Sequence, residues 1–338
     1  MKRLLLCLVA ALLLARCALA EEAPRYTVTS VVDCAQSVAA YGAFSQSGEL
    51  SVLVPGLAEG LIPQGIAWMP EQDWLLFAGY RADKGASALL AVDRQTGALV
   101  RQAALRYGDG RLYSGHAGGV CVTESDIFLS NAHTLYRISK AAFLALPAAA
   151  ECPFEEEIPV PVNASYCCYA EGVLWVGEFQ YGSEYPTDRS HSVRTADGTQ
   201  KAWTCGYKMA EDQTFEAPDY VLSVPERIQG ITTRAGRVYL SQSYGRRNSS
   251  LLLRYADVLQ NAPDGEVALG GRQVPLWILD SAVREAVLLC PPMSECLCNV
   301  PEGICVLFES AADKYRSGKN PSLHPMDRVF LVREALYE

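Results

Sequence analysis

The chain has 338 residues, half of them hydrophobic, with 29 basic against 38 acidic side chains and a net charge of −9. That balance repels phosphate backbones and gains nothing from an anionic membrane surface, so nucleic acid is excluded as an expected partner. Length alone suggests two domains, but closed β architectures of this size form one.

The first twenty residues read as an export signal. Lys2 and Arg3 form a positive start, Leu4 to Ala15 is an unbroken apolar run, and Ala18-Leu19-Ala20 supplies small residues before Glu21. The run is shorter than the roughly 20 residues a spanning helix needs. Arg16 directly precedes Cys17, where a lipoprotein signal wants a small residue. Losing Lys2, Arg3 and Arg16 takes the net charge from −9 to −12. No later segment is long and apolar enough to span. The expected product is an exported monomer without membrane insertion, with residues 21–48 as an N-terminal extension.

From residue 49 onward one pattern recurs. A short apolar strand, often led by Gly, is followed by a tight turn and a second apolar strand. The copies are Gln64 to Trp68 with Trp74 to Phe77, Gly118 to Val122 with Ile127 to Leu129, and Ser165 to Cys168 with Val173 to Val176. Two more are Gln229 to Thr232 with Val238 to Leu240, and Glu295 to Cys298 with Ile304 to Phe308. Each has a third strand: Ala88 to Val92, Thr134 to Ile138, Ala202 to Tyr207, Leu251 to Tyr255 and Arg328 to Val332. Fourth, outer strands are expected at Ala98 to Arg101, Ile158 to Val160, Tyr220 to Ser223 and Pro275 to Leu279. The fifth copy lacks one, and Leu50 to Val54 has no partner of its own.

Five copies about 50 to 65 residues apart match the radial blades of a β-propeller. The expected fold is therefore all-β: one propeller of four-stranded blades over residues 49–338, its ring closed by the N-terminal strand. Five blades are preferred, with six as the alternative because 24–48 and 256–293 have room for strands. Ser139 to Leu146 and Asp280 to Leu289 read as short helices. Residues 180–201 read as a long polar surface loop.

In a propeller the first strands surround the axis, so their starting residues gather at one mouth. Alignment puts Gln64, Gly118, Ser165, Gln229 and Glu295 there, with His116 able to reach the space beside Gly118. The second strands end in Tyr80-Arg81, Asn131, Glu178, Gln242 and Glu309. The expected ligand-binding set is Gln64, His116, Ser165, Gln229, Glu295, Arg81, Gln242 and Arg246. Glu178 and Glu309 are the candidate acid–base pair, with Glu295 a third catalytic candidate. Tyr80-Arg81, Tyr244 to Arg247 and Lys314-Tyr315-Arg316 each set an aromatic beside a cation, a face for an anionic or sugar-like ligand.

Ten of the twelve cysteines lie beyond the leader. Their spacing makes no pair of CxxC knuckles, so disulfides or buried thiols are expected rather than zinc, and no metal site is assigned. Cys298 and Cys305 flank the turn Pro301-Glu302-Gly303, the first choice for a cross-strand pair.

Ile62-Pro63-Gln64-Gly65-Ile66, Arg227-Ile228-Gln229-Gly230-Ile231 and Met293-Ser294-Glu295 lead into first strands, and in this the chain resembles the gluconolactonase and strictosidine-synthase-like group of propellers. That resemblance implies the propeller fold. Through the lactonase members it also implies a calcium ion, for which only Glu295 has a counterpart. The expected function is binding of a small molecule, glycan or protein at the mouth. The alternative is a hydrolase, either calcium-dependent on lactones or esters, or a glycosidase using paired carboxylates.

Overall fold

The computed structural model describes residues 25–210 and 214–333. The proposed leader lies outside the described residues. Among them, no helix is long and apolar enough to cross a membrane.

The molecule is a five-bladed β-propeller. From the axis outward, the first blade is Leu61–Met69, Trp74–Arg81, Ala88–Asp93 and Leu99–Arg106, and the second is Gly119–Val122, Asp126–Asn131, Thr134–Ser139 and Glu156–Pro159. The third is Tyr166–Ala170, Val173–Gly177, Ala202–Lys208 and Tyr220–Val224. The fourth is Ile228–Arg234, Arg237–Gln242, Ser250–Tyr255 and Arg284–Cys290. The fifth is Ser294–Val300, Gly303–Phe308 and Arg328–Val332, with Gly48–Leu53 antiparallel to Arg328–Val332 as its outer strand. The inner strands pack side by side in blade order, and the fifth returns to the first.

Two outer strands differ from expectation. Asp280 to Leu289 is not a helix: Arg284–Cys290 is the outer strand of the fourth blade, pairing with Ser250–Tyr255. Pro275 to Leu279 is a strand in another sheet. Arg272–Ile278 runs parallel to Tyr220–Val224 and adds to the third blade, with Gly265–Leu269 beyond it. The first blade likewise gains Ala149–Pro153, parallel to Leu99–Arg106. Lys140–Ala145 is a helix as expected, capped by the Ser139 side chain.

The 25–47 segment packs against the fourth and fifth blades. Buried Asp327 accepts hydrogen bonds from Ser30 Oγ and Val31 N at 2.8 Å and from Val32 N at 3.1 Å. Phe44, from the short helix Gly42–Gln46, stacks on Phe330 with centroids 3.9 Å apart.

Glycines let the inner strands approach closely. A Cβ on Gly65 would lie 2.5 Å from Val120 N, one on Gly119 2.3 Å from Cys167 N, and one on Gly230 2.6 Å from Cys296 Cα. The axis itself is filled. Cys296 Sγ reaches across to lie 3.4 Å from the Gly118 carbonyl oxygen and 3.5 Å from that of Gln229. Ile66 and Cys168 are buried in the same cluster as Cys296. The ring therefore has two separate mouths.

Candidate functional site

Three inner strands enter the ring through a register irregularity, and each irregularity falls on a mouth residue. The pairing skips between Pro63 and Gly65, between Ile228 and Gly230, and between Ser294 and Leu297. A bulge gives one strand an unpaired extra residue and re-aims its side chain. Here the bulged segments hold Gln64, Gln229 and Glu295.

Glu309, at the end of the second strand of the fifth blade, meets them. Gln64 Nε2 donates to Glu309 Oε2 at 2.8 Å, and Gln229 Nε2 donates to Glu295 Oε1 at 3.2 Å. The Glu295 and Glu309 carboxyls are in hydrogen-bonding contact with each other. Their residues are only 2% and 8% exposed. Burial, and then the Glu309 charge, hold Glu295 well above the usual carboxylate range. Burial pushes Glu309 up to about 7, against the opposing pull of Gln64, the Lys314 ammonium and the Tyr315 hydroxyl. Two carboxyls this close cannot both ionise cheaply, so the pair shares a proton at neutral pH.

The roof of the pair is aromatic and cationic. Tyr315 and Tyr80 bring their hydroxyls 3.4 Å apart, and Lys314 Nζ donates to Tyr80 Oη at 2.9 Å. The Lys314 ammonium stands 5.2 Å from the Tyr80 ring centroid and 5.0 Å from that of Tyr315. His116 stacks on Tyr80, centroids 4.4 Å apart.

The structure thus gathers Gln64, Gln229, Glu295, Glu309 and, through Tyr80, His116. The space beside Gly118 is not open to His116: a Cβ there would lie 2.2 Å from the Ser165 carbonyl oxygen. Ser165 Oγ is turned to the Asn163 carbonyl at 3.2 Å. Arg81 is bound to Asp83 and, at 3.1 Å, to the Glu59 carbonyl. Arg246 bonds the Asn320 carbonyl at 3.1 Å and covers the Tyr315 ring at 4.9 Å. Gln242 Nε2 donates to the Glu226 carbonyl at 2.8 Å.

Glu178 has partners of its own. It accepts from Asn163 N and Trp203 N, each at 3.1 Å, and bonds His191 Nδ1 at 2.8 Å. His191 stacks on Trp203, centroids 3.9 Å apart. Glu178 therefore ties down the 180–201 segment, which carries the turn Arg189–His191 and a hairpin of Val193–Thr195 with Gly198–Gln200. Tyr80, Lys314 and Tyr315 were singled out by their pairing of aromatic and cation; the contact of Glu309 with Glu295 had no signal, because the bulge that creates it has no fixed sequence mark.

Calcium takes six to eight oxygens, several of them from carboxylates, whereas this mouth brings together two carboxyls, with Gln64 and Gln229 pointing N–H groups rather than oxygens at them, a poor match to that ion.

The pair sets a pH dependence. Its folded pKa values lie above the ordinary 4.5, so the fold binds more protons than the unfolded chain between those limits. Its contribution favours folding below about pH 4.5 and is lost as pH rises towards and through 7. Glu309→Gln is expected to reduce this loss, since Glu295 then keeps only the rise that burial gives it. Thermal melts from pH 4 to 8 check it: the melting temperature of the variant gains on that of wild type as pH rises.

No protein-family model matches the chain, and the comparison with curated proteins gives no match. Similar solved structures include a GH43_1 enzyme from Xanthomonas citri complexed with xylotriose, at 11% identity and a TM-score of 0.46, covering 85% of this chain and 91% of that one. A glutaminyl cyclase from Myxococcus xanthus matches at 12% identity and 0.42, covering 81% and 90%. A gluconolactonase from Xanthomonas campestris, from the group the sequence motifs resemble, matches at 11% and 0.37, covering 80% of each chain. Likeness at this level carries no argument about activity; the five-bladed arrangement rests on the sheets themselves.

Proposed function

We propose that this is an exported propeller that binds a small polar ligand at the mouth formed by Gln64, Gln229, Glu295 and Glu309. The observation that supports it is the proton-sharing pair Glu295–Glu309, set at bulged strand entries rather than in regular ladder. Burying two carboxyls in contact works against folding at neutral pH, and structural needs do not explain the arrangement. A polar mouth with convergent donors and acceptors is a binding site in the ordinary sense. One carboxyl offers a proton while the other accepts one, so a hydroxyl or amide group can be held at both ends.

The same feature favours a second reading, a hydrolase in which the pair moves a proton to and from an attacking water. A glycosidase of the usual kind needs carboxyls about 5 Å or about 6.5–9.5 Å apart. Direct contact between Glu295 and Glu309 is closer than either.

The test is thermal protection by a panel of monosaccharides, disaccharides, sugar acids and amino acids. Saturation at about 100 times Kd adds about 2.7 kcal/mol, a rise of several degrees. The expected result is a rise with at least one compound that disappears in Gln64→Ala and Gln229→Ala but persists in Thr123→Ala, a residue that lines a separate cavity with Val122 and Cys298 at the opposite mouth. A rise that survives both mouth variants, or none across the panel, contradicts the reading. Turnover of the bound compound that is lost in Glu309→Gln while binding persists would favour the hydrolase.

A further inference from the structure

The mouth at the other end of the ring opens into a cavity of about 290 Å³. Its walls include Trp68, Val120, Val122 and Ala170, and three cysteines line it: Cys121, Cys168 and Cys298. Two of these have a second cysteine beside them. Cys298 is opposite Cys305 in the antiparallel register of the fifth blade. Residues directly opposite have Cα atoms about 4.5 or 5.5 Å apart, inside the roughly 4.4–6.8 Å that a disulfide spans. The two side chains are in hydrogen-bonding contact.

Cys121 lies beside Cys167 across a blade boundary, on inner strands that pack together without pairing. Cys121 is on the inner strand of the second blade and Cys167 on that of the third. Gly119 brings these strands together, since a Cβ on it would lie 2.3 Å from Cys167 N. The Cys121 thiol is in hydrogen-bonding contact with that of Cys167. Cys168, the third cavity thiol, is instead 3.5 Å from Thr232 Oγ1. All ten cysteines of the described residues are buried thiols in the structure.

We propose that Cys121–Cys167 and Cys298–Cys305 are disulfide sites, oxidised from the cavity, and that the first bond staples the second blade to the third. The inference is independent of the ligand at the opposite mouth.

The oxidant is a small-molecule disulfide such as oxidised glutathione. The Cys121 thiolate attacks one of its sulfurs, the S–S bond breaks, and one glutathione leaves. The Cys167 thiolate then attacks the Cys121 sulfur of the mixed disulfide, and the second glutathione leaves. Two electrons pass to the glutathione pair, and the two protein protons end on the two released thiols. Cys298 and Cys305 follow the same course. The cavity-lining cysteine of each pair meets the oxidant, and its partner resolves. Burial raises Cys121 and Cys298 well above the usual thiol range. The thiolate is the attacking species, so both reactions are slow on the folded protein.

The experiment incubates the chain lacking residues 1–20 with oxidised glutathione, alkylates the remaining thiols, and maps linkages by peptic digestion and tandem mass spectrometry. The expected result is four protected thiols, in the pairs Cys121–Cys167 and Cys298–Cys305, with Cys168 alkylated. Because Cys167 and Cys168 are adjacent, two variants assign the inter-blade bond: it persists in Cys168→Ser and is lost in Cys167→Ser. A reductant is expected to lower the melting temperature of the oxidised wild type by several degrees and to leave a chain that was never oxidised unchanged. Ten alkylated thiols after prolonged oxidation, or Cys121 linked to Cys168, would overturn the proposal.

Discussion

Gly119→Val is expected to lower the melting temperature by about 10 °C or to prevent folding. The added Cβ would lie 2.3 Å from Cys167 N, 2.9 Å from Ser130 Oγ and 2.9 Å from Tyr166 C. Two of those three atoms are backbone of the next inner strand, which cannot rotate away. Overpacking in a core costs about 1–3 kcal/mol and occasionally more, and this site belongs at the upper end. For a domain of this size each kcal/mol is worth about 2–4 °C. Gly265→Ala is the control, because nothing lies within 4 Å of the Cβ it adds. Thermal melts followed by circular dichroism check both. An unchanged melting temperature for Gly119→Val would mean that the inner strands are not packed backbone to backbone.

The second large effect concerns the outer strand of the fifth blade. A chain beginning at Val54 loses Gly48–Leu53 and leaves Arg328–Val332 unpaired along one edge. It also loses the segment whose Ser30, Val31 and Val32 donate to Oδ2 of buried Asp327. An uncovered strand edge templates aggregation, and an orphaned buried carboxylate is costly. The truncated chain is expected to be insoluble, or soluble only as aggregate by light scattering. Supplying residues 25–53 as a peptide during refolding is expected to restore monomer. A truncated chain that is monomeric and melts like wild type would show that the pairing is not what secures the ring.

The blades were legible because their inner hairpins repeat, with Gln-Gly-Ile at both 64–66 and 229–231. What the repeat could not reveal was the identity of outer partners. Arg284–Cys290 alternates as a strand should, with Leu288 and Cys290 turned inwards. Its outward positions carry Val287 and Leu289, 49% and 50% exposed. Apolar residues on both faces erased the alternation, and the segment read as a helix. Arg272–Ile278 read as a strand, but a strand pattern does not name its neighbour, and its parallel pairing in the third blade is a matter of tertiary packing.

The candidate site was half legible for a related reason. Aligning copies placed Glu295 at the mouth and Glu309 with Glu178, which presumes regular register. The irregularity between Ser294 and Leu297 breaks that presumption and brings Glu295 into contact with Glu309. Glu178, at the equivalent place in the third blade, faces backbone N–H groups and His191 instead. Cys298 opposite Cys305 was legible because the short turn at 301–303 fixes the register between them.

The central claim is that Glu295 and Glu309 share one proton at the mouth. Carbon-13 NMR of the glutamate side-chain carboxyls, followed from pH 3 to 9 in wild type and assigned with Glu295→Gln and Glu309→Gln, tests it most directly. The prediction is two coupled titrations displaced upwards from the ordinary glutamate range, one of them near 7, with the survivor in each variant shifting its midpoint. Two independent titrations near 4.5, unchanged when the other glutamate is replaced, would contradict it.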